Sequence, residues 1–227
     1  MSIASSNNLD FIFLSETKSH VSFLESSFSR LGFHECSGLN SDGSKGGLFL
    51  CWSRRVVVEI VETSANYVCC KTADEADNEY YIAFVYGLPY LANRSEIWTK
   101  LSQIMDTHEG KWLLIGDFNQ VESKHQKIGG THSLQGAKNF IDWKFHNKLI
   151  DIPYQGVSFT WSNNRSGTEA ILERIDKAFC NSNWKDSFND AEIWNLPILL
   201  SDHSPIILHL NGTQIKRKRR PYKLEAW

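Results

Sequence analysis

The chain has 227 residues, 41% apolar and 12% aromatic, enough to bury a sizeable core and too many for a disordered polypeptide. Its formal net charge is −2, of which KRKRR at 216–220 supplies +5, so the remainder carries −7; an acidic body with a basic tail is not a generic basic nucleic-acid binder. Five cysteines, an odd set with no CxxC pair, argue against a disulfide framework or a zinc site and for free thiols in a reducing compartment.

In chain order, FIFLS at 11–15 is an apolar run that ends at Glu16. HVSFLESSFSRLG (20–32) spaces Val21, Leu24, Phe28 and Leu31 as a helix and stops at Gly32. Turn-like NSDGSKGG (40–47) leads into two strands, GLFLCWS (47–53) and VVVEIVE (56–62), on either side of Arg54 and Arg55. NYVCCKT and YYIAFVYG read as a hairpin around the acidic loop 72–79. NRSEIWTKLSQIM places Asn93 and Glu96 in capping-box positions and Ile97, Leu101 and Ile104 on one face. KWLLIGD is a strand, and LQGAKNFIDWKFHNKLI (134–150) a third helix with Phe140, Trp143 and Leu149 roughly in line. SFTWSN, RIDKAFC and SPIILHL are later strands. Short strands outnumber helices, which predicts an α+β layered sandwich of mostly antiparallel sheets over about 1–212, followed by a basic tail, 213–227. No leader segment or bilayer-length apolar run is seen, so a soluble intracellular protein without membrane contact is expected.

Polar residues interrupt these strands at their ends: Glu16 after FIFLS, Asp117 and Asn119 in LLIGDFN, Asp176 in LERIDKAF, Asp202 and His203 in ILLSDHSPIIL. Burying an ionisable group without a partner costs several kcal/mol. Each alone has an ordinary explanation as a cap, a turn former or a surface pair; four at strand ends point to one site. Carboxylates with few competing His or Cys ligands favour a hard cation, Mg²⁺ or Mn²⁺. With a carboxylate-held His as base or charge stabiliser and an Asn to orient water or phosphate, the set suits phosphate-ester hydrolysis.

FLSETK, GDFN after an apolar strand, RID, and SDHSPI near the domain end resemble, in that order along the chain, the motifs of the endonuclease/exonuclease/phosphatase superfamily over about residues 9–210. VYGLPY, FTWSNNR, ERIDKAF and RPYKLEAW are similar to the endonuclease domain of plant LINE-type (non-LTR) retrotransposons, in which such trailing text leads toward a reverse transcriptase. The resemblance implies a four-layer αββα sandwich of two sheets and a monomeric, Mg²⁺- or Mn²⁺-dependent enzyme that nicks DNA. It implies Glu16 as metal ligand, with Asp202 completing the metal or water network. Asp117 would align or deprotonate the attacking water, with Asn119 beside it on the phosphate. Tyr86, in FVYG, would touch the scissile phosphate or leaving group, unless it is plain strand core. His203 would stabilise the transition state, oriented by Asp176, unless that carboxylate merely pairs Arg174 or Lys177. DNA contacts fall on Arg165 in SNNRSG and on Lys124 and Lys127 in the loop VESKHQKIGGTHS, which reads equally as a solvated loop.

One departure stands out. The family opens with a core strand bearing a WN-type motif whose Asn helps hold the metal, and MSIASSNNLD holds nothing like it. The expected fold therefore lacks its first core strand and leaves an unprotected edge. The competing reading is a catalytically impaired remnant that at most binds nucleic acid; a relative acting on phosphoinositides, sphingomyelin or mRNA tails ranks well below. KRKRR reads either as a solvated linker or as a nuclear-targeting or phosphate-contacting run.

Overall fold

Tyr80, Ile82, Phe84 and Tyr86 enter one apolar cluster, while the intervening Ala83 and Val85 enter another. Successive side chains of a strand point to opposite faces, so this segment lies in a layer with a core on each side. The structure, a computed structural model, describes residues 8–211 except 44, 75, 92, 93, 132 and 200. Its strands are β1 (Phe11–Ser15), β2 (Phe33–Leu39), β3 (Leu48–Ser53), β4 (Val58–Thr63), β5 (Tyr67–Ala73), β6 (Glu79–Tyr86), β7 (Trp112–Asp117), β8 (Lys127–Ile128), β9 (Ile150–Asp151), β10 (Tyr154–Gly156), β11 (Trp161–Ser162), β12 (Leu172–Glu173), β13 (Asp176–Cys180), β14 (Glu192–Asn195) and β15 (Ile206–His209). Its helices are α1 (Val21–Ser29), α2 (Arg94–Thr107), α3 (Ala137–His146) and α4 (Ser182–Ser187).

The central sheet runs β4-β5-β6-β7-β13-β9, antiparallel except for the parallel β6–β7 pair. Ile97, Trp98 and Leu101 of α2 and Phe140 and Trp143 of α3 cover one face, packed on Leu114, Phe118 and Phe179. The indole nitrogen of Trp143 donates to the Trp98 carbonyl at 2.9 Å, which satisfies the one polar atom that this aromatic stack buries. Two three-stranded sheets, β2-β3-β1 and β10-β14-β15, cover the other face through Leu48, Leu50, Ile193 and Leu208. α1 closes the outside, with Val21, Leu24 and Phe28 on Ile12, Leu14 and Phe49. Helices, sheet, sheets and helix make the expected four-layer sandwich. The β5–β6 hairpin is present in full register.

Some elements differ from the sequence expectation. The helix expected over 134–150 spans only Ala137–His146, because Gly136 enters it in the left-handed region (φ 78°) and Lys148 leaves it there (φ 52°). SFTWSN contributes just Trp161–Ser162, and Leu31 is exposed beyond the end of α1. β2, β14 and the two-residue strands β8 and β12 were not legible as strands. The cap at Asn93 and the tail 213–227, KRKRR included, lie outside the described residues. All five cysteines are free, as expected, and among the described residues no helix is long and apolar enough to cross a membrane. Among the described residues β1 pairs only with β3, and β15 only with β14.

Candidate active site

Three neighbouring strand ends converge. Tyr86, the last residue of β6, is the register partner of Asp117, the last of β7, and Asp117 is directly opposite Asp176, the first of β13. The 201–205 segment crosses these ends. It is tied down by Ser162 N donating to Asp202 O (3.0 Å) and Ser204 N to Thr160 O (2.7 Å). From it His203 Nδ1 donates to Asp176 Oδ2 at 3.1 Å. Ligand atoms of Asp117, Asp176 and His203 all lie within 4.8 Å of one another. Glu16 follows β1 with φ of 50° and accepts a hydrogen bond from the Tyr86 hydroxyl. Glu16, Tyr86, Asp117, Asp176, Asp202 and His203 line one cavity.

Asn119 explains how Asp117 is aimed. Its backbone adopts φ of 48°, its N–H donates to Asp117 Oδ1 at 2.7 Å, and its Nδ2 donates to Asp117 Oδ2 at 2.8 Å and Gly87 O at 2.7 Å. Both side-chain partners are acceptors, so the amide nitrogen must face them. A Cβ at Gly87 would collide with the Phe118 carbonyl, which is what lets the two loops approach this closely.

The profile of the endonuclease/exonuclease/phosphatase family matches residues 1–203. The chain belongs to that family. Solved structures agree on the fold. The endonuclease domain of TRAS1, a telomere-specific non-LTR retrotransposon, is 12% identical at TM-score 0.67, over 91% of this chain and 88% of that one. The 3'-5' exonuclease NExo from Neisseria meningitidis is 16% identical at TM-score 0.67 over 92% of each chain. An AP endonuclease from Archaeoglobus fulgidus is 14% identical at TM-score 0.64 over 90% of each. No curated protein matches the chain.

Within this family member the electrostatics turn on Asp117, 5% exposed. Burial first, then the opposing Asp176 carboxylate, pushes its carboxyl well above the usual range, against the pull of His203. Burial alone would lower His203, but the hydrogen bond and charge of Asp176, with Asp117 and Asp202 behind it, hold it at about 9. That value keeps the ring protonated at neutral pH, with Nδ1 spent on Asp176. Asp202 is held below its usual value despite partial burial, by the Trp161 indole N–H at 3.1 Å and by His203. Burial, then Glu16, raises Tyr86, so its phenol stays protonated. A carboxylate-rich site whose buried members repel each other fits a hard divalent cation; at its rim Glu16 accepts from the Tyr86 hydroxyl and Asp202 from the Trp161 indole.

Asp176 pairs His203, neither Arg174 nor Lys177. Tyr86 is both strand core, 8% exposed, and a site hydroxyl. Arg165, Lys124 and Lys127 do not line the cavity. Lys127 is bound to Glu173 at 2.7 Å, Arg165 reaches Glu169 at 3.5 Å, and Lys124 is exposed.

Three supporting residues escaped sequence reasoning. Thr160, fully buried, accepts from the N–H groups of Ile175 and Asp176 (3.1 and 3.0 Å) and so joins the His203 segment to β13. Arg94 donates to Leu88 O, Pro89 O and Gln120 Oε1, which clamps the loops after β6 and β7. Lys177, next to Asp176 but on the opposite strand face, is buried against Gln120 O and Glu122 Oε1, both at 2.7 Å. The signal for Lys177 was a lysine inside an apolar strand, which alternation alone would place with the core.

Proposed function

We propose that this chain is a divalent-metal-dependent phosphodiesterase that nicks DNA and descends from the endonuclease of a non-LTR retrotransposon. The convergence of Asp117, Asp176 and His203 on one cavity wall carries the reading; the likeness to the TRAS1 endonuclease domain and to NExo supports DNA as substrate. A divalent cation, Mg²⁺ or Mn²⁺, would supply neutralisation of phosphate charge and a more acidic attacking water. Glu16 and Asp202 are the residues that would hold it.

The chain's own groups do the rest. Asp117, fixed by both donors of Asn119, orients the attacking water, and its raised proton affinity suits proton acceptance. His203, cationic and braced by Asp176, sits where charge develops on the phosphorane oxygens. Tyr86 supplies a neutral hydroxyl beside Glu16. Asn119 acts on Asp117 rather than directly on phosphate, since its amide nitrogen is already committed. On this reading the protein is a monomer that works in the nucleus, and its RPYKLEAW text points to descent from an element that also carried a reverse transcriptase.

Nicking of supercoiled plasmid tests it, with Mg²⁺, with EDTA, and with Asp117→Ala and His203→Ala. Metal-dependent nicking that both substitutions abolish is expected. A protein that circular dichroism shows to be folded but that never nicks would instead be an inert remnant.

A further inference from the structure

The FTWSNNR stretch stands out in the sequence, yet the hydrolytic chemistry proposed for the site makes no use of its tryptophan. In the structure this stretch brackets the site. Its backbone runs antiparallel to the 202–204 segment: Trp161 and His203 are bridge partners, Ser162 N donates to Asp202 O at 3.0 Å, and Ser204 N donates to Thr160 O at 2.7 Å. Asn163 fixes the other end. Its Oδ1 accepts from Ile171 N and Arg165 N, at 3.0 and 3.2 Å, and its Nδ2 donates to Glu169 O at 2.9 Å. Trp161 therefore stands on backbone pinned on both sides, the condition under which a side chain can be aimed.

Core packing does not account for the ring. Among the described residues, Trp161 joins none of the three apolar clusters. It is half-buried and lines the cavity beside Asp202 and His203. Its one polar atom, the indole Nε1, donates to Asp202 Oδ2 at 3.1 Å. Ser201 Oγ also donates, to Oδ1 at 3.3 Å, but a serine on the same turn moves with the aspartate. The indole comes from 41 residues away. It gives the exposed Asp202 carboxylate a fixed reference outside its own turn.

We propose that Trp161 is a positioning residue of this site: its indole N–H anchors Asp202 Oδ2, so that the carboxylate meets a divalent cation already oriented. The inference rests on the metal-dependent reading of the site and adds the group that aims one of its two holders, Glu16 and Asp202. The bond is charge-assisted, stronger than one between neutral groups, and needs a donor at the edge of the ring. Phenylalanine keeps an aromatic ring and loses that donor.

Metal binding tests it without activity. Free Mn²⁺ is followed by electron paramagnetic resonance as it is titrated into the full chain, Trp161→Phe, Asp202→Ala and the double variant, each shown to be folded by circular dichroism. Mn²⁺ affinity should fall about tenfold or more in Trp161→Phe, the usual effect of losing a partner of a metal ligand. Adding Trp161→Phe to Asp202→Ala should cost nothing further, because the indole acts through that carboxylate. A second measurement leaves the tryptophan in place: in NMR spectra of tryptophan-labelled protein, the Trp161 indole proton should move upfield in Asp202→Ala. A wild type that binds no Mn²⁺ at millimolar ion would overturn the metal-dependent reading, and this inference with it. A wild type that binds, together with equal binding by Trp161→Phe, additive losses in the double variant, or an unmoved indole signal, would overturn this inference alone.

Discussion

Asp117 and Asp176 stand directly opposite each other on β7 and β13, two carboxylates in a pairing where like charges destabilise a sheet. Asn119 satisfies the hydrogen-bonding needs of Asp117 without neutralising its charge. The fold therefore holds an electrostatic conflict that His203 relieves in part and a cation would relieve further. Mg²⁺ or Mn²⁺ should raise the melting temperature above that in EDTA. At a hundredfold excess over Kd the gain is about 2.7 kcal/mol, or about 5–10 °C for a domain of this size. Differential scanning fluorimetry measures it, and a shift that survives Glu16→Ala combined with Asp202→Ala would place the cation elsewhere.

His203 titrates near 9 in the folded chain against about 6.5 when unfolded. The native state then holds an extra proton between those values, so this contribution is complete below about pH 6.5 and is lost as pH rises toward 9. Lys177, lowered to about 8 by burial, gives the opposite slope above pH 8. The difference in urea stability between the wild type and His203→Gln, both in EDTA, cancels Lys177 and should shrink steadily across pH 6.5–9. In Asp176→Asn an NMR titration should find His203 moved back toward its ordinary value.

Asn119→Ala leaves the backbone donor to Asp117 Oδ1 in place but removes the side-chain donor to Oδ2 and the link to Gly87. Loss of such a supporting contact typically costs about 10–100-fold in activity. The fall should appear in kcat with KM little changed, whereas His203→Ala should lose about 10²–10⁴-fold. Steady-state cleavage of a labelled duplex separates the two.

Gly116 has φ of 143°, and a Cβ there would run into the Val85 carbonyl on the neighbouring strand. Gly116→Ala should destabilise the protein by about 2 kcal/mol or more, through strain and displacement of the β6–β7 pair. Urea unfolding followed by tryptophan fluorescence checks this, with Gly43→Ala, also at positive φ but in open space, expected to cost less.

Much was legible from local pattern. Apolar runs closed by Glu16, Asp117, Asp176 and the Asp202–His203 pair show both strands and site, because alternation and the cost of burying charge act over a few residues. The hairpin β5–β6, the half-buried packing face of α1 and the buried face of α2 follow from periodicity in the same way. What periodicity could not reach was partnership. Nothing local says that Asp117 pairs in register with Asp176, that Thr160 links the His203 segment to β13, or that Lys177 is buried against Glu122. Strands of two to four residues such as β8, β12 and β14 have too little pattern to announce themselves, since their hydrogen bonds come from distant chain. The sequence marks the strand ends, but only the packing of two separate sheets over one face of a third brings those ends to one cavity.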